Sequence, residues 1–350
     1  MKTRHNPNTF IFPVEQIKSG YYSDVYFLRT QEILNAAQYH PRIMMQIFQR
    51  DHAILCGIDE AIALIKQCAY HPDTIKIHAL HDGDEIAPWE TIMTIEGDLA
   101  DFSHLETLYL GILARQTKIA TNARKVVKAA NGKPVLFFPS RFDHYTVQES
   151  DGYAAKIGGM QGISTPANAK TWAIEAAGTI PHALIAAYQG DTVAATKAFD
   201  HYIDPSIRRV ALVDFNNDCV GTSLAVAKTL GDRLYAVRLD TSDKMVDKSI
   251  HEQMGSFPPT GVNPQLVHNV RNALDNEGFD HVKIMVSGGF NEARIKQFEK
   301  ENVPVDVYAV GSSIFKTNVD FTADVVMVDG KPCSKVGRNY NPNPRLEIVK

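Results

Sequence analysis

The spacing of apolar positions changes along the chain and divides it into regions. Residues 22–70 carry apolar side chains at helical spacing, whereas residues 75–97 alternate as short strands with turn signals at Asp82-Gly83 and Glu96-Gly97. A second helical pattern runs from Phe102 to a Gly-containing stop at Asn131-Gly132. The early region therefore predicts a small α+β, β-rich unit.

After this long helix, short predicted strands alternate with predicted helices. Short β-branched or aromatic runs are predicted as strands at 134–138, 210–214, 234–238, 282–286 and 305–310. Helical stretches are predicted between them, at 167–177, 192–201, 223–230, 264–277 and 292–302. Alternating strands and helices are typical of parallel β/α units. The sequence therefore predicts an irregular TIM-like β/α barrel over residues 106–319, with an N-terminal α+β domain over residues 1–105 to which the turn-rich residues 320–350 return.

Polar residues follow most of the predicted strands directly, and this favours a barrel over an open sheet. In β/α barrels the active site lies at the C-terminal strand ends, and the loops after the last two strands often hold phosphate. Here those loops are Ser287-Gly288-Gly289 and Gly311-Ser312-Ser313, whose small side chains let backbone N–H groups approach an anion. We therefore predict a phosphate site at these two loops.

Composition and charge exclude several classes of protein. With 36 basic and 40 acidic residues the net charge is −4, which gives no support for nucleic-acid binding. No apolar run approaches the roughly 18 residues of a membrane helix, and the first residues lead into no signal-peptide stretch, so we expect a soluble cytoplasmic protein. The four cysteines form no C-x-x-C pair and predict neither a zinc site nor a disulfide framework.

Missing motifs narrow the chemistry further. The chain has no G-x-G-x-x-G opening a helix, no G-x-x-x-x-G-K-[ST] and no H-E-x-x-H, which disfavours a Rossmann dehydrogenase, a Walker NTPase and a zincin. A barrel that binds a sugar phosphate remains.

Six short runs, taken in order, resemble the nicotinate phosphoribosyltransferases of the type II phosphoribosyltransferase superfamily. They are Phe138-Pro-Ser-Arg141, Gly158-Gly-Met-Gln-Gly162, Gly178-Thr-Ile-Pro-His182, Ala236-Val-Arg-Leu-Asp240, Val286-Ser-Gly-Gly289 and Val310-Gly-Ser-Ser313. The segment from Ser23 to Thr30 is similar to the opening helix of that family.

The resemblance implies transfer of phosphoribosyl from phosphoribosyl pyrophosphate to the ring nitrogen of nicotinate, coupled to ATP hydrolysis. It implies that Phe138 and the Tyr26 of a second subunit sandwich the pyridine ring, and hence a homodimer with a shared active site. Arg141 and Arg238 would face the anions, because planar guanidinium groups suit bidentate contacts. Gly159, Gln161 and Thr179 would also contact the substrate.

The resemblance also assigns catalytic and metal-binding roles. His182 would be phosphorylated by ATP, a task for which a neutral imidazole is a suitable nucleophile. Mg²⁺ would accompany the pyrophosphate, since it favours carboxylates and water. Asp240 is the first candidate, either as a metal ligand or as a partner of the ribose hydroxyls, and Asp214 is the second.

Three alternatives stay open at this point. Relatives commonly carry an aspartate where Gln161 stands, so the choice between nicotinate and nicotinamide is open. Quinolinate phosphoribosyltransferase shares the barrel and the small N-terminal domain but needs further basic residues and no such histidine. A non-catalytic barrel that only binds phosphoribosyl ligands is the alternative from a different class.

Overall fold

The computed structural model describes residues 3–170 and 179–350, and the chain divides into two units. The first contains Met1–Thr121 and Thr317–Lys350, and the second contains Asn122–Lys316. The division falls inside the long predicted helix, between Thr121 and Asn122, whereas the sequence pattern placed it at residue 105.

The described residues form strands and helices that we number in chain order. The strands are β1 (Arg42–Gln49), β2 (Ala53–Ile54), β3 (Lys76–Ala79), β4 (Glu85–Ile86), β5 (Met93–Asp98), β6 (Val135–Phe137), β7 (Gly162–Ile163), β8 (Arg209–Leu212), β9 (Leu234–Leu239), β10 (Lys283–Val286), β11 (Val307–Val310), β12 (Phe321–Val328), β13 (Lys331–Pro332) and β14 (Glu347–Ile348). The helices are α1 (Val14–Lys18), α2 (Val25–Ala36), α3 (Ile58–Cys68), α4 (Leu99–Phe102), α5 (Glu106–Ala129), α6 (Gln148–Gly158), α7 (Pro166–Ala169), α8 (His182–Ala187), α9 (Thr192–Tyr202), α10 (Cys219–Leu230), α11 (Pro264–Asn276) and α12 (Glu292–Lys300).

The first unit is built on an antiparallel sheet with the strand order β13-β12-β1-β5-β3-β14. Strand β1 lies in the middle of this sheet, inside the region that the sequence pattern assigned wholly to helices, so that prediction is wrong for residues 42–49. The reason is burial: most residues of β1 are buried on both faces, and such a strand lacks the alternation that marks a half-exposed one.

A continuous apolar core fills the first unit. Helix α3 buries eight of its eleven residues, and the start of α5 contributes Tyr109 and Leu113. The chain's C-terminal part joins the same core through Val319 and Phe321. The turn-rich tail therefore packs with the N-terminal residues, as the sequence predicted for residues 320–350.

The second unit contains a curled sheet of six parallel strands in the order β7-β6-β11-β10-β9-β8. Side chains from neighbouring strands meet inside the curl, among them Leu136, Val210, Ala236, Met285 and Ala309. The predicted α/β class with an irregular β/α barrel is confirmed, and the described strands close only part of a full barrel.

Most predicted helices of the second unit are present within a few residues of their predicted bounds. The helix predicted at 167–177 is described only in its first part, as α7, and residues 171–178 lie outside the described part of the chain. Within the described ranges, we find no helix that is both long and apolar enough to cross a bilayer.

Candidate active site

A cavity of about 600 Å³ lies at the C-terminal ends of the parallel strands of the second unit. Its walls come from the segments that follow β6, β7, β9, β10 and β11, together with the start of α8. This is the end at which β/α barrels bind their substrates.

Eleven residues that the sequence nominated line this cavity together. They are Phe138, Arg141, Thr179, His182, Arg238, Asp240, Ser287, Gly288, Gly289, Gly311 and Ser312. Lys316 adds a third cation to the same wall. The cavity thus combines three cations, one carboxylate, one imidazole and two glycine-containing loops, which is a composition suited to a phosphorylated ligand.

The two loops that the sequence assigned to phosphate lie side by side. Gly288 and Gly289 have φ values of 82° and 75°, a left-handed backbone that glycine adopts without steric cost. The Ser313 hydroxyl donates to the carbonyl oxygen of Phe290 over 2.9 Å and so ties the second loop to the first. The backbone N–H groups of Gly288 and Gly289 have no acceptor among the described residues.

Arg238 is the most buried cation of the cavity, with 14% of its side chain exposed. Burial lowers the pKa of its guanidinium, and the nearby carboxylates of Asp240 and Asp214 oppose that shift. Its Nε is buried without a hydrogen-bond partner in the described chain, and its Nη2 lies 4.0 Å from Asp240 Oδ2. A buried guanidinium with unused donors is poised to bind an anionic group.

Arg141 lies on a single 3₁₀ turn after β6 and is more exposed than Arg238. Its guanidinium carbon lies 5.2 Å from the centre of the Phe142 ring, within the range of a cation–π contact. Phe138, on the same segment, packs its partly buried ring against the apolar interior of the barrel. The segment after β6 therefore presents an aromatic face and a cation next to each other.

His182 is the first residue of α8, and its ring contacts a buried carboxylate. Nε2 lies 3.0 Å and 3.1 Å from the two carboxylate oxygens of Asp214, which follows β8. The Asp214 side chain is 7% exposed, whereas that of His182 is 46% exposed. Burial raises the pKa of Asp214, and the contact with His182 acts in the opposite direction.

Asp240 is the carboxylate that projects into the cavity. Its Oδ1 accepts a hydrogen bond of 2.7 Å from the Ser287 hydroxyl, and 28% of its side chain is exposed. No group of three or more metal-binding side chains occurs among residues 3–170 and 179–350. Asp214 is engaged by His182.

The structure places Gly159 and Gln161, which the resemblance assigned to substrate contact, away from the cavity. Gly159 ends α6, and Gln161 pairs with Val135 at the start of β6, its N–H donating to the Val135 carbonyl over 3.0 Å. Both residues therefore lie at the N-terminal strand ends, whereas the cavity is at the C-terminal ends. The run from Gly158 to Gly162 precedes a strand instead of following one.

Tyr26 belongs to the first unit, where it lies in the first turn of α2 and is 59% exposed. Its neighbour Val25 is 57% exposed, and none of the twelve residues of α2 is buried. The predicted contact of Tyr26 with a second subunit stays a prediction.

Sequence reasoning missed a cluster of hydroxyl and amide groups in the cavity wall and directly behind it. Asn168, fully buried, accepts from Ser140 over 2.7 Å and from Thr165 over 2.8 Å. Thr165 also lies 2.9 Å from Gln148 Oε1, and Ser164 lies beside Ser140. Ser164 and Thr165 directly follow β7, and that position was the available signal.

Comparison with known proteins agrees with this geometry. A family model described as the N-terminal domain of quinolinate phosphoribosyl transferase matches residues 24–117, and the C-terminal domain model matches residues 119–324. A solved structure titled nicotinate-nucleotide pyrophosphorylase from Pyrococcus furiosus is 34% identical, covers 97% of this chain and 85% of its own, and superimposes with a TM-score of 0.82.

Curated relatives carry a different name. A nicotinate phosphoribosyltransferase of Mycobacterium tuberculosis is 31% identical over 75% of this chain, and one of Bacillus subtilis is 26% identical over 76%. The chain spans about half the length of these relatives, covering 56% of each. The human nicotinic acid phosphoribosyltransferase shares the fold, with 17% identity, a TM-score of 0.68, and coverage of 91% of this chain and 77% of its own.

The two domain models together match most of the chain, and the matched C-terminal domain contains the cavity. The chain therefore belongs to the quinolinate phosphoribosyl transferase family, within the type II phosphoribosyltransferase superfamily.

Proposed function

We propose that this protein transfers phosphoribosyl from phosphoribosyl pyrophosphate to nicotinate, forming nicotinate mononucleotide and pyrophosphate in NAD biosynthesis. The name shared by the curated relatives supports nicotinate as the acceptor. We further propose that ATP hydrolysis drives the reaction through phosphorylation of His182.

One observation carries the proposal: the contact between His182 and Asp214 at the cavity. When the imidazole is neutral and Nε2–H donates to the Asp214 carboxylate, the lone pair resides on Nδ1. Nδ1 would then attack the γ-phosphorus of ATP and ADP would leave, and water would later release inorganic phosphate from the phosphohistidine. A carboxylate that orients an exposed histidine in this way suits phosphorylation of the ring by ATP, and it supports the ATP-coupled reaction over the quinolinate alternative.

The transfer itself breaks the bond from C1′ of the ribose to pyrophosphate and forms a bond from C1′ to the pyridine nitrogen. Because C1′ gains positive charge as the bond breaks, groups that stabilise the departing pyrophosphate accelerate the step. Arg141, Arg238 and Lys316 supply positive charge in the cavity, and the loops at 287–289 and 311–313 supply backbone donors. Phe138 would offer its face to the pyridine ring.

Mg²⁺, when bound with the pyrophosphate, would neutralise part of its charge. Asp240 is the residue of the cavity wall that would hold it, because its carboxylate lines the cavity, with Oδ1 bound by the Ser287 hydroxyl and Oδ2 4.0 Å from Arg238 Nη2. Its position next to Arg238 would also let it accept a hydrogen bond from a ribose hydroxyl.

We propose a homodimer in which Tyr26 of each subunit stacks on the pyridine ring bound by the other. Tyr26 and Val25 are exposed in the first turn of α2, and burial of these two side chains against a second subunit would support the dimer. Sedimentation together with assay tests it, because a fully active monomer would contradict a shared site.

The experiment that tests the function is incubation of the purified protein with phosphoribosyl pyrophosphate, Mg²⁺ and each of nicotinate, nicotinamide and quinolinate, with and without ATP. Product mass identifies the acceptor. We expect nicotinate mononucleotide, ADP and phosphate to form together, and only when ATP is present. Turnover of quinolinate alone, with release of carbon dioxide, would overturn the proposal in favour of the quinolinate reaction. Binding of phosphoribosyl pyrophosphate without turnover of any acceptor would favour the non-catalytic barrel.

A further inference from the structure

Arg294 lies on the first turn of α12, behind the loop that follows β10, and does not line the cavity. Its Nη1 donates to the carbonyl oxygen of Gly288 over 2.7 Å, and its Nη2 donates to the carbonyl oxygen of Val262 over 2.5 Å. The guanidinium carbon also lies 4.3 Å from the centre of the buried Phe290 ring. Two hydrogen bonds and one aromatic face therefore fix the orientation of this guanidinium.

The bond to Gly288 determines where the next backbone N–H points. In a trans peptide the C=O of one residue and the N–H of the following residue point in opposite directions. Because the Gly288 carbonyl is turned toward Arg294, the N–H of Gly289 is turned away from it. Both glycines line the cavity, and neither N–H has an acceptor within the described chain.

The glycines alone do not fix this orientation. Their φ values are 82° and 75°, but a glycine can adopt many other backbone conformations. Glycine therefore loses more conformational freedom on ordering than any other residue. On the cavity side, the side chains of Asp240 and Ser287 bind each other and do not bind the carbonyl of Gly288. Arg294 is the side chain that binds that carbonyl from behind.

We propose that Arg294 is a positioning residue that holds the Gly288–Gly289 loop with the N–H of Gly289 directed at a phosphate group of phosphoribosyl pyrophosphate. The inference rests on the proposed function for the identity of the ligand, and on the loop geometry for the role of Arg294. The guanidinium of Arg294 is partly buried against Phe290 and Phe298, and the nearby Asp243 carboxylate offsets part of its positive charge. The role of Arg294 therefore rests on its hydrogen bond to Gly288.

Arg271 offers a matched control in the same unit. It lies on α11, and its two terminal nitrogens also donate to backbone carbonyls, those of Val282 over 2.6 Å and Phe279 over 2.9 Å. It does not line the cavity. Replacing either arginine therefore removes two bonds to carbonyls, but only one replacement releases the phosphate loop.

The test compares wild type, Arg294→Met, Arg294→Lys and Arg271→Met. We expect Arg294→Met to raise the KM for phosphoribosyl pyrophosphate at least tenfold, while kcat and the KM for the pyridine change less than threefold. Arg294→Lys, which keeps a cation and one donor, should recover part of the loss, and Arg271→Met should leave both KM values unchanged. Thermal unfolding identifies variants that fail to fold.

Titration of inorganic pyrophosphate and of ribose 5-phosphate by calorimetry, on the same four proteins, separates this inference from the proposed function. If wild type turns over no pyridine yet binds either ligand tenfold more tightly than Arg294→Met, the proposed function fails and the role of Arg294 stands, and the ligand that responds identifies the phosphate group. An unchanged KM and unchanged affinities for both ligands in a folded Arg294→Met protein would overturn the inference. An equal loss in Arg271→Met would overturn it too, because the effect would then be one of general stability.

Discussion

The imidazole of His182 and the carboxylate of Asp214 meet with Nε2 at 3.0 Å and 3.1 Å from the two carboxylate oxygens. The Asp214 carboxylate is buried in the protein, whereas the His182 ring is half exposed and lines the cavity. Such a carboxylate fixes the tautomer of the ring and stabilises positive charge that develops on it.

Asp214→Asn should therefore reduce phosphorylation of His182. Asparagine keeps the shape of the side chain but lacks the charge, and we expect ATP hydrolysis to fall by about 10²–10⁴-fold. The measurement is acid-labile phosphate on the protein together with release of ADP. Asp191→Asn is the control, since Asp191 caps α9 through the Ala194 N–H and asparagine caps equally well. Equal labelling of both variants would contradict the role of Asp214.

Gly288→Ala should weaken the binding of phosphoribosyl pyrophosphate. An added Cβ would meet the Asp240 Oδ1 atom at 3.3 Å, and the φ of 82° costs an alanine about 1–2 kcal/mol. We expect the KM for phosphoribosyl pyrophosphate to rise about tenfold, which corresponds to about 1.4 kcal/mol.

Gly278→Ala is the matched control for Gly288→Ala. Gly278 has a φ of 80°, but nothing lies within 4 Å of the position of its added Cβ. It should lose a similar amount of stability and keep the KM of wild type. A normal KM in a folded Gly288→Ala protein would show that the loop does not bind phosphoribosyl pyrophosphate.

Glu106 makes the stability of the first unit depend on pH. Burial, together with the nearby Asp324 and Asp24, raises the pKa of this carboxyl from 4.5 to about 7. The folded protein therefore binds a proton that the unfolded chain releases, and this contribution to stability is present below pH 4.5 and lost as the pH rises through 7. Glu106→Gln should remove that loss and raise the free energy of unfolding by about 1–3 kcal/mol at pH 8.

Urea denaturation at pH 5 and pH 8 measures this effect as the difference between Glu106→Gln and wild type. The exposed Glu32, replaced in Glu32→Gln, serves as the control and should leave the pH dependence unchanged. A gain from Glu106→Gln that is equal at both pH values would contradict the raised pKa.

Gln161→Ala should leave turnover within twofold of wild type. The side chain lies at the start of β6 and β7, and its Oε1 is 3.3 Å from the Val135 N–H rather than in the cavity. Phe138→Ala, at the opposite end of β6, should lower kcat/KM for the pyridine by at least tenfold, because the ring face is lost. Steady-state kinetics with both substrates compares them, and a tenfold loss in Gln161→Ala would restore the role that the sequence suggested.

The sequence predicted the barrel and its cavity well because both depend on local signals. Each parallel strand is a short apolar run, and the residues that follow it, such as Asp240 and Ser287, meet at one edge of the sheet by geometry alone. Gly159 and Gln161 lie away from the cavity because their run precedes a strand instead of following one.

Other features depend on contacts that no local pattern reveals. Strand β1 is buried between β5 and β12, so its apolar residues show no alternation. The partners of Asn168 come from three separate segments, at Ser140, Gln148 and Thr165. In the sequence, Arg294 has the pattern of a surface arginine on an amphipathic helix. Only the structure shows that it binds the carbonyl of Gly288.

The pairing of β1 with β12 has a consequence for the order of folding during synthesis. These two strands pair over seven residues of β1, yet β12 leaves the ribosome roughly 280 residues after β1. The unit that contains the cavity is then already made, because it ends at Lys316. The N-terminal unit, although translated first, is thus completed last. The edge of β1 that pairs with β12 stays unpaired until β12 has been synthesised.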